Sequence, residues 1–154
     1  EIIGKSGMEF FSGEFRNTLD EKGRLSLPAR LRGELQGQAL VVTQGVDSCL
    51  WLFPPEQWKA FSAKLLAQTS LFHARARLVQ RRILAPSQEL EIDKAGRIAI
   101  PQALREFAGL AKDCVILGIT KYIEIWDADA YRKYLEANES EFLAAAEELG
   151  GLTL

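Results

Sequence analysis

The chain has 154 residues, 47% of them hydrophobic and 26% charged, and a formal net charge of −2. This length allows one domain or two small ones sharing a core. The slight acidity gives no general attraction to nucleic acid or membrane, and no apolar run approaches the roughly 20 residues of a membrane span.

Residues 1–7 precede the first Met, Met8, and read as a vector remnant, with no signal peptide ahead of the fold. Phe10 to Leu19 carries Phe11, Phe15 and Leu19 among polar residues and is predicted as a strand. Asp20-Glu21-Lys22-Gly23-Arg24 follows as a tight turn in which Gly23 takes a positive φ. Leu25 and Leu27 alternate with Arg24 and Ser26, the pattern of a half-buried strand. Pro28 stops it and opens a short helix, Ala29 to Leu35, with Leu31 and Leu35 on one face. Leu40-Val41-Val42-Thr43 and Leu50-Trp51-Leu52-Phe53 are two more strands. Pro54-Pro55-Glu56 opens a helix with Trp58, Phe61 and Leu65 on its apolar side. Phe72, Ala76, Val79 and Ile83 predict a connecting amphipathic helix.

The order then repeats. Asp93-Lys94-Ala95-Gly96-Arg97-Ile98-Ala99-Ile100-Pro101 restates Asp20-Glu21-Lys22-Gly23-Arg24-Leu25-Ser26-Leu27-Pro28 at an offset of 73 residues. The same offset matches Arg32 to Arg105, Val42 to Val115 and Gly45 to Gly118. Pro101 starts a helix with Leu104 and Phe107, and Val115-Ile116-Leu117 and Ile123-Glu124-Ile125-Trp126 are strands. Asp127 is a good N-cap for one last helix, striped by Tyr131, Leu135, Phe142, Ala145 and Leu149 with Asn138 as the polar break. One unit is therefore used twice, as in a fused pair that mimics a dimer. The expected division is a first repeat over 8–69, a basic connecting segment over 70–87 and a second repeat over 88–154.

Charge is uneven along the chain. Between Glu56 and Glu89 there is no acid, while Lys59, Lys64, Arg75, Arg77, Arg81 and Arg82 are basic. From Glu124 to Glu148, eight acids stand against Arg132 and Lys133. Such blocks suit head-to-tail contact between subunits, or anion binding by the middle; solvated helix faces are the plainer alternative.

The repeated Asp-x-x-x-Arg has two readings. In one, Asp caps the turn amides and Arg pairs with it. In the other, Asp20 orients Arg24 at a hairpin rim towards an anion or a base edge, which guanidinium binds bidentately. Arg16, Lys22, Arg30 and Arg32 are nearby candidates for phosphates that fix register. Trp51, Trp58 and Trp126 are candidates for base stacking, but their strand and helix positions favour the core. Glu56, Glu89 and Glu91 have no nucleophile or base around them, and His73 has no catalytic motif, so an enzyme is not expected. One His with Cys49 and Cys114 makes no zinc set, and no phosphate loop or other cofactor motif is present. The two cysteines read as buried, reduced thiols, which suits the cytoplasm.

Met8-Glu9-Phe10-Phe11-Ser12-Gly13-Glu14-Phe15, the first Asp turn through Arg32, the second Asp turn, and Arg77-Leu78-Val79-Gln80-Arg81-Arg82 resemble the MraZ family of bacterial transcriptional regulators. The resemblance runs from Met8 to about Phe142. It implies a mainly β, α+β fold related to the swapped-hairpin AbrB-type proteins: a pseudo-two-fold double-split β-barrel of two repeats with flanking helices. It also implies a DNA-binding repressor of the cell-division and cell-wall gene cluster, nucleoid-associated, in which ring-shaped homo-oligomers meet direct repeats in promoter DNA. The family motif falls on Asp20 and Arg24, and again on Asp93 and Arg97. The second copy has Ala95 for Lys22 and Glu89 for Arg16, so the first copy is expected to carry more of the DNA contact. The rival reading is an antitoxin-like or scaffold module acting through the acidic tail.

Overall fold

The computed structural model describes residues 10–33 and 35–151; the expected vector remnant, 1–7, lies outside them. The first repeat comprises β1 (Phe11–Thr18), β2 (Arg24–Ser26), α1 (Ala29–Arg32), β3 (Leu40–Gln44), β4 (Leu50–Phe53) and α2 (Pro55–Gln68). Helix α3 (Ala74–Val79) runs into a π-helical turn, Gln80–Leu84. The second repeat comprises β5 (Gln88–Leu90), β6 (Arg97–Ala99), α4 (Gln102–Ala108), β7 (Asp113–Thr120), β8 (Tyr122–Asp127), α5 (Ala128–Ala137) and α6 (Glu139–Glu148).

Six strands form one antiparallel sheet in the order β1-β7-β8-β4-β3-β5, and β2 pairs with β6 in a separate antiparallel ribbon. The mixed, mostly strand architecture is the expected one. The large sheet does not close into a barrel: β1 and β5 stay at opposite edges. Leu25, Leu27, Ile98 and Ile100 of the ribbon segments pack into one core with Leu40, Val42, Leu50, Leu52, Ile116, Ile123 and Ile125 of the sheet. Neither repeat closes this core alone, because each contributes one strand of the ribbon and part of every layer beneath it.

Two residue pairs mark the pseudo-two-fold. Leu25 faces Ile98 across the ribbon, and Trp51 faces Glu124 across β4 and β8; each residue meets its own counterpart in the other repeat. The flanking backbone bonds obey the same symmetry. Leu27 N–H donates to the Gly96 carbonyl at 2.9 Å, and Ile100 N–H donates to the Gly23 carbonyl at 2.9 Å.

Three elements differ from the sequence reading. Helix α1 ends at Arg32, short of Leu35, whereas its counterpart α4 runs for 7 residues. Gly33 stands where α4 has Glu106, and Gly costs a helix interior about 1 kcal/mol relative to Ala. The connecting stripe is also not a single face. Ile83 is buried at 4%, but Phe72 precedes α3 and is 91% exposed. The π turn after Val79 changes the angular phase that the 3.6-residue pattern assumes. The final helix is two helices. Asn138 leaves the helical region at φ −114°, ψ 15°, and its Nδ2 donates to the Tyr134 carbonyl at 2.8 Å. This local bond competes with continuation of the helix.

A duplicated Asp–Arg hairpin as candidate nucleic-acid interface

The repeated turn is built by its Asp. Asp20 Oδ1 accepts from the backbone N–H of Lys22 at 2.9 Å and of Arg24 at 2.8 Å. Its Oδ2 accepts from Arg24 Nε at 2.7 Å. Asp93 repeats the arrangement with Ala95 and Arg97 N–H, both at 2.9 Å, and with Arg97 Nε at 3.0 Å. The backbone N–H of Arg24 is the main cause that holds the Asp20 carboxyl below its ordinary value, and that of Arg97 does the same for Asp93. Both are carboxylates at neutral pH. Structure and presentation are thus one arrangement: Asp shapes the turn and grips the Nε edge of Arg.

What remains of each Arg faces outwards. Nη1 and Nη2 of Arg24 and of Arg97 make no hydrogen bond or ion pair among the described residues, and each side chain keeps 32% of its surface exposed. Strand alternation points Leu25 and Ile98 inwards and leaves Arg24, Ser26, Arg97 and Ala99 on the outer face of the ribbon. Two guanidiniums, one per repeat, therefore share one surface.

The turns are braced across the repeats. Gly23 has φ +78° and Gly96 φ +83°. A Cβ at Gly23 would collide with Arg105 Nη1, and one at Gly96 would lie 2.9 Å from Arg32 Cζ. Arg32 donates to the Leu27 carbonyl, and Arg105 donates to the Ile100 carbonyl. Each of these arginines thus holds the carbonyl beyond its own strand and lies against the glycine of the other repeat's turn. Arg32, a candidate phosphate contact in the sequence, is instead committed beneath the second hairpin. Its counterpart Arg105 was not singled out, because the contact joins residues far apart in sequence.

The other candidates separate. Lys22 is exposed beside Arg24 in an open cleft of ≈ 690 Å³ lined also by Thr18, Leu19, Asp20, Glu21, Ala111 and Lys112. Arg16 lies on β1 opposite Val115, in an adjoining groove with Asp113, Asp127, Asp129 and Arg132 that shares Ala111 and Lys112 with the first cleft. Arg30 donates from Nη2 to Ser12 Oγ at 3.1 Å, against the start of β1. Two cations were missed. Lys112 enters the first cleft from the loop before β7. Lys94 is exposed on the second turn, and its signal lay in the repeat itself, where Glu21 is replaced by Lys94.

The tryptophans are packed against protein. Trp126 is 3% exposed and touches Tyr131 and Tyr134, and Trp58 packs on Phe53 and Phe61. Trp51 and Trp126 donate their indole N–H groups to the two oxygens of Glu124, at 3.1 and 2.9 Å. Cys49 and Cys114 are free and buried. Burial pushes both thiols up, Cys114 to about 11. Among the described residues no helix is long and apolar enough to cross a membrane.

Two interlocked repeats that present paired Asp–Arg hairpins on one ribbon define a duplicated β-hairpin protein. Its outward face carries two arginines, each paired with an aspartate. A family model described as "MraZ protein, putative antitoxin-like" matches residues 10–82 and again 83–151. The chain belongs to the MraZ family. It is 55% identical over 139 residues to the "Transcriptional regulator MraZ" of Treponema denticola, covering 90% of this chain and 96% of that protein. The protein of the same name from Treponema pallidum is 52% identical over 144 residues, covering 94% of this chain and 97% of that protein. That of Natranaerobius thermophilus is 41% identical over 139 residues, covering 90% and 96%.

Proposed function

We propose that this chain is a sequence-specific DNA-binding transcriptional regulator, acting as a repressor on the promoter of the cell-division and cell-wall gene cluster. The observation that carries the reading is the outward pair Arg24 and Arg97, each held at Nε by its Asp, with neither Nη bonded among the described residues. A two-stranded ribbon fits the major groove, and a fixed guanidinium there bonds guanine at two atoms. Asp20 and Asp93 serve as orienting groups. Lys22, and Arg16 and Arg30 further along β1 and α1, are phosphate contacts that set register.

One ribbon buries little surface, so affinity comes from several ribbons on one assembly. We read the assembly as a ring of copies engaging direct repeats, in the cytoplasm at the nucleoid. Two features support a head-to-tail contact. The basic connecting segment exposes Leu71 and Phe72, and the acidic α5–α6 pair exposes Leu135, Phe142 and Leu149. Opposite charge and unpartnered apolar surface on one chain suit a heterologous contact that closes by rotation. The strand layout is compatible with the two halves of a double-split β-barrel, the ribbon lying across the open sheet.

Mobility shift with the protein's own upstream promoter region tests the function. Retarded complexes are expected with the native chain and not with Arg24→Ala at the same concentration. The family description favours one rival, an antitoxin-like partner protein acting through the acidic helices. Promoter binding indifferent to Arg24, together with a tight complex lost on truncation after Asp127, would favour that rival.

A further inference from the structure

We propose that Lys112 is a phosphate contact of the first hairpin, which makes that hairpin a composite anion site built from both repeats. The inference rests on the DNA-binding reading above. Lys112 belongs to the second repeat, yet it lines the cleft that contains Lys22 and Arg24. Its place is fixed by backbone: Leu19 N–H donates to the Lys112 carbonyl at 2.7 Å, and Thr18 pairs with Asp113. The side chain is exposed, and its ammonium makes no hydrogen bond or ion pair among the described residues. Lys112 also borders the adjoining groove of Arg16, Asp113, Asp127, Asp129 and Arg132, and pairs with none of these acids.

The repeat supplies an internal control. The counterpart of Lys112 is Ala39, and the counterpart of Thr18 is Glu91. Around the first hairpin, Lys22, Arg24 and Lys112 stand with Asp20 and Glu21. The corresponding positions of the second hairpin hold Lys94 and Arg97 with Asp93 and Glu91. Each Arg is balanced by the Asp at its Nε, which leaves one net positive charge among the residues lining the first cleft and none at the corresponding positions of the second. A phosphate approaching Arg24 meets an ammonium from each side, Lys22 on the turn and Lys112 across the cleft. One approaching Arg97 meets Lys94 and the carboxylate Glu91.

Neutralising a phosphate with a lysine releases counterions, so such a contact is read from salt dependence. The full chain is titrated with its upstream promoter fragment between 50 and 200 mM salt, as wild type, Lys112→Gln, Lys112→Arg, Ala39→Lys and Arg24→Ala. Each phosphate contact contributes about 0.9 to the slope of log K against log salt, or about 3.5-fold in affinity over that range. Lys112→Gln is expected to lower the slope by about 0.9 per bound subunit, to weaken native and scrambled fragments alike, and to melt as wild type does. Lys112→Arg should restore the slope, and Ala39→Lys should raise it. An unchanged slope in Lys112→Gln overturns the inference when Arg24→Ala still loses promoter binding. If Arg24→Ala also binds normally, the DNA-contact reading itself is wrong, and this inference falls with it.

Discussion

Arg24 and Arg97 stand on the same outer face of one two-stranded ribbon, each opposite a small residue of the other repeat: Arg24 faces Ala99 and Arg97 faces Ser26. They are diagonal neighbours, about 7–8 Å apart by the spacing of antiparallel strands. That distance is close to the rise of two base-pair steps, about 7 Å. The small partners leave the Nη side of each guanidinium facing outwards, while its Asp holds the Nε edge.

Replacing Arg24 with Ala is expected to weaken promoter binding by about 1–3 kcal/mol per engaged hairpin, and by more in a multivalent complex. The change also removes the half-exposed Nε–Asp20 bond but leaves both backbone bonds of the turn, so melting should fall only slightly. Titration and thermal unfolding are read together. Wild-type affinity combined with a lower melting temperature would show that the residue serves the turn alone.

Arg97→Ala is expected to lose less affinity than Arg24→Ala. Arg16 lies outside the first cleft and does not contribute to this difference. Lys22 remains, set against Ala95, and Glu91 stands beside the second turn where the first has Thr18. Lys94 narrows the difference. Matched titrations decide it, and an equal or greater loss for Arg97→Ala reverses the order.

Gly23→Ala and Gly96→Ala are expected to destabilise the chain by about 1–2 kcal/mol from the left-handed backbone alone. A further loss comes from displacing Arg105 or Arg32. The two sources separate in a double variant. Gly96→Ala with Arg32→Ala should cost less than the sum of the single changes, because the crowded atoms are gone. Urea unfolding at one fixed protein concentration measures it, and simple additivity would show that the guanidinium does not crowd Gly96.

Stability should fall in acid through Asp20 and Asp93. Their folded-state carboxyls titrate below the ordinary 3.8, so their stabilisation is complete above that value. It declines as pH drops below 3.8 and is gone once the folded-state carboxyls protonate. Asp20→Asn with Asp93→Asn should therefore flatten the pH dependence of the urea midpoint below about pH 4 relative to wild type. A parallel curve would mean that other carboxylates govern acid unfolding.

The purified chain should run well above 17.2 kDa in light scattering at micromolar concentration and low salt. Assembly should weaken as salt rises, since rim charges are screened over about 8–10 Å. Phe142→Ser and Phe72→Ser should each reduce the assembled mass. A single species at the chain mass would remove the ring, and with it the multivalency on which the proposed affinity depends.

Much of this was legible in the sequence because it is local. Alternation placed Leu25, Leu27, Ile98 and Ile100 inside, and Asp127 caps α5 by accepting from Ala130 N–H at 3.1 Å, as its position suggested. The Asp turns were legible too, since Asp, Gly and Arg act within five residues. What escaped was non-local. The Arg32–Gly96 and Arg105–Gly23 braces join residues 64 and 82 positions apart, and Lys112 reaches a turn some ninety residues upstream. Tyr131 belongs to the apolar stripe predicted along one last helix, and its ring packs on Trp126 of β8 at 5.1 Å between ring centres. Asn138 was read as a blemish in one helix; its side chain bonds back to the preceding turn and divides the helix.

The Trp51–Glu124 pair shows what fusion permits. In a homodimer with a true two-fold, a residue on the axis can face only its own copy. Trp would meet Trp, or one carboxylate would meet another, and like charges directly opposed are destabilising. With both halves in one gene, the two axial positions mutate independently, and here they have become donor and acceptor, bonded at 3.1 Å. The same freedom holds at every duplicated position. Ala39 and Lys112, or Glu21 and Lys94, are differences that no assembly of identical half-chains could encode. A fused repeat can keep the geometry of a dimer while giving its two ends separate evolutionary histories, and so read an asymmetric partner with a symmetric frame.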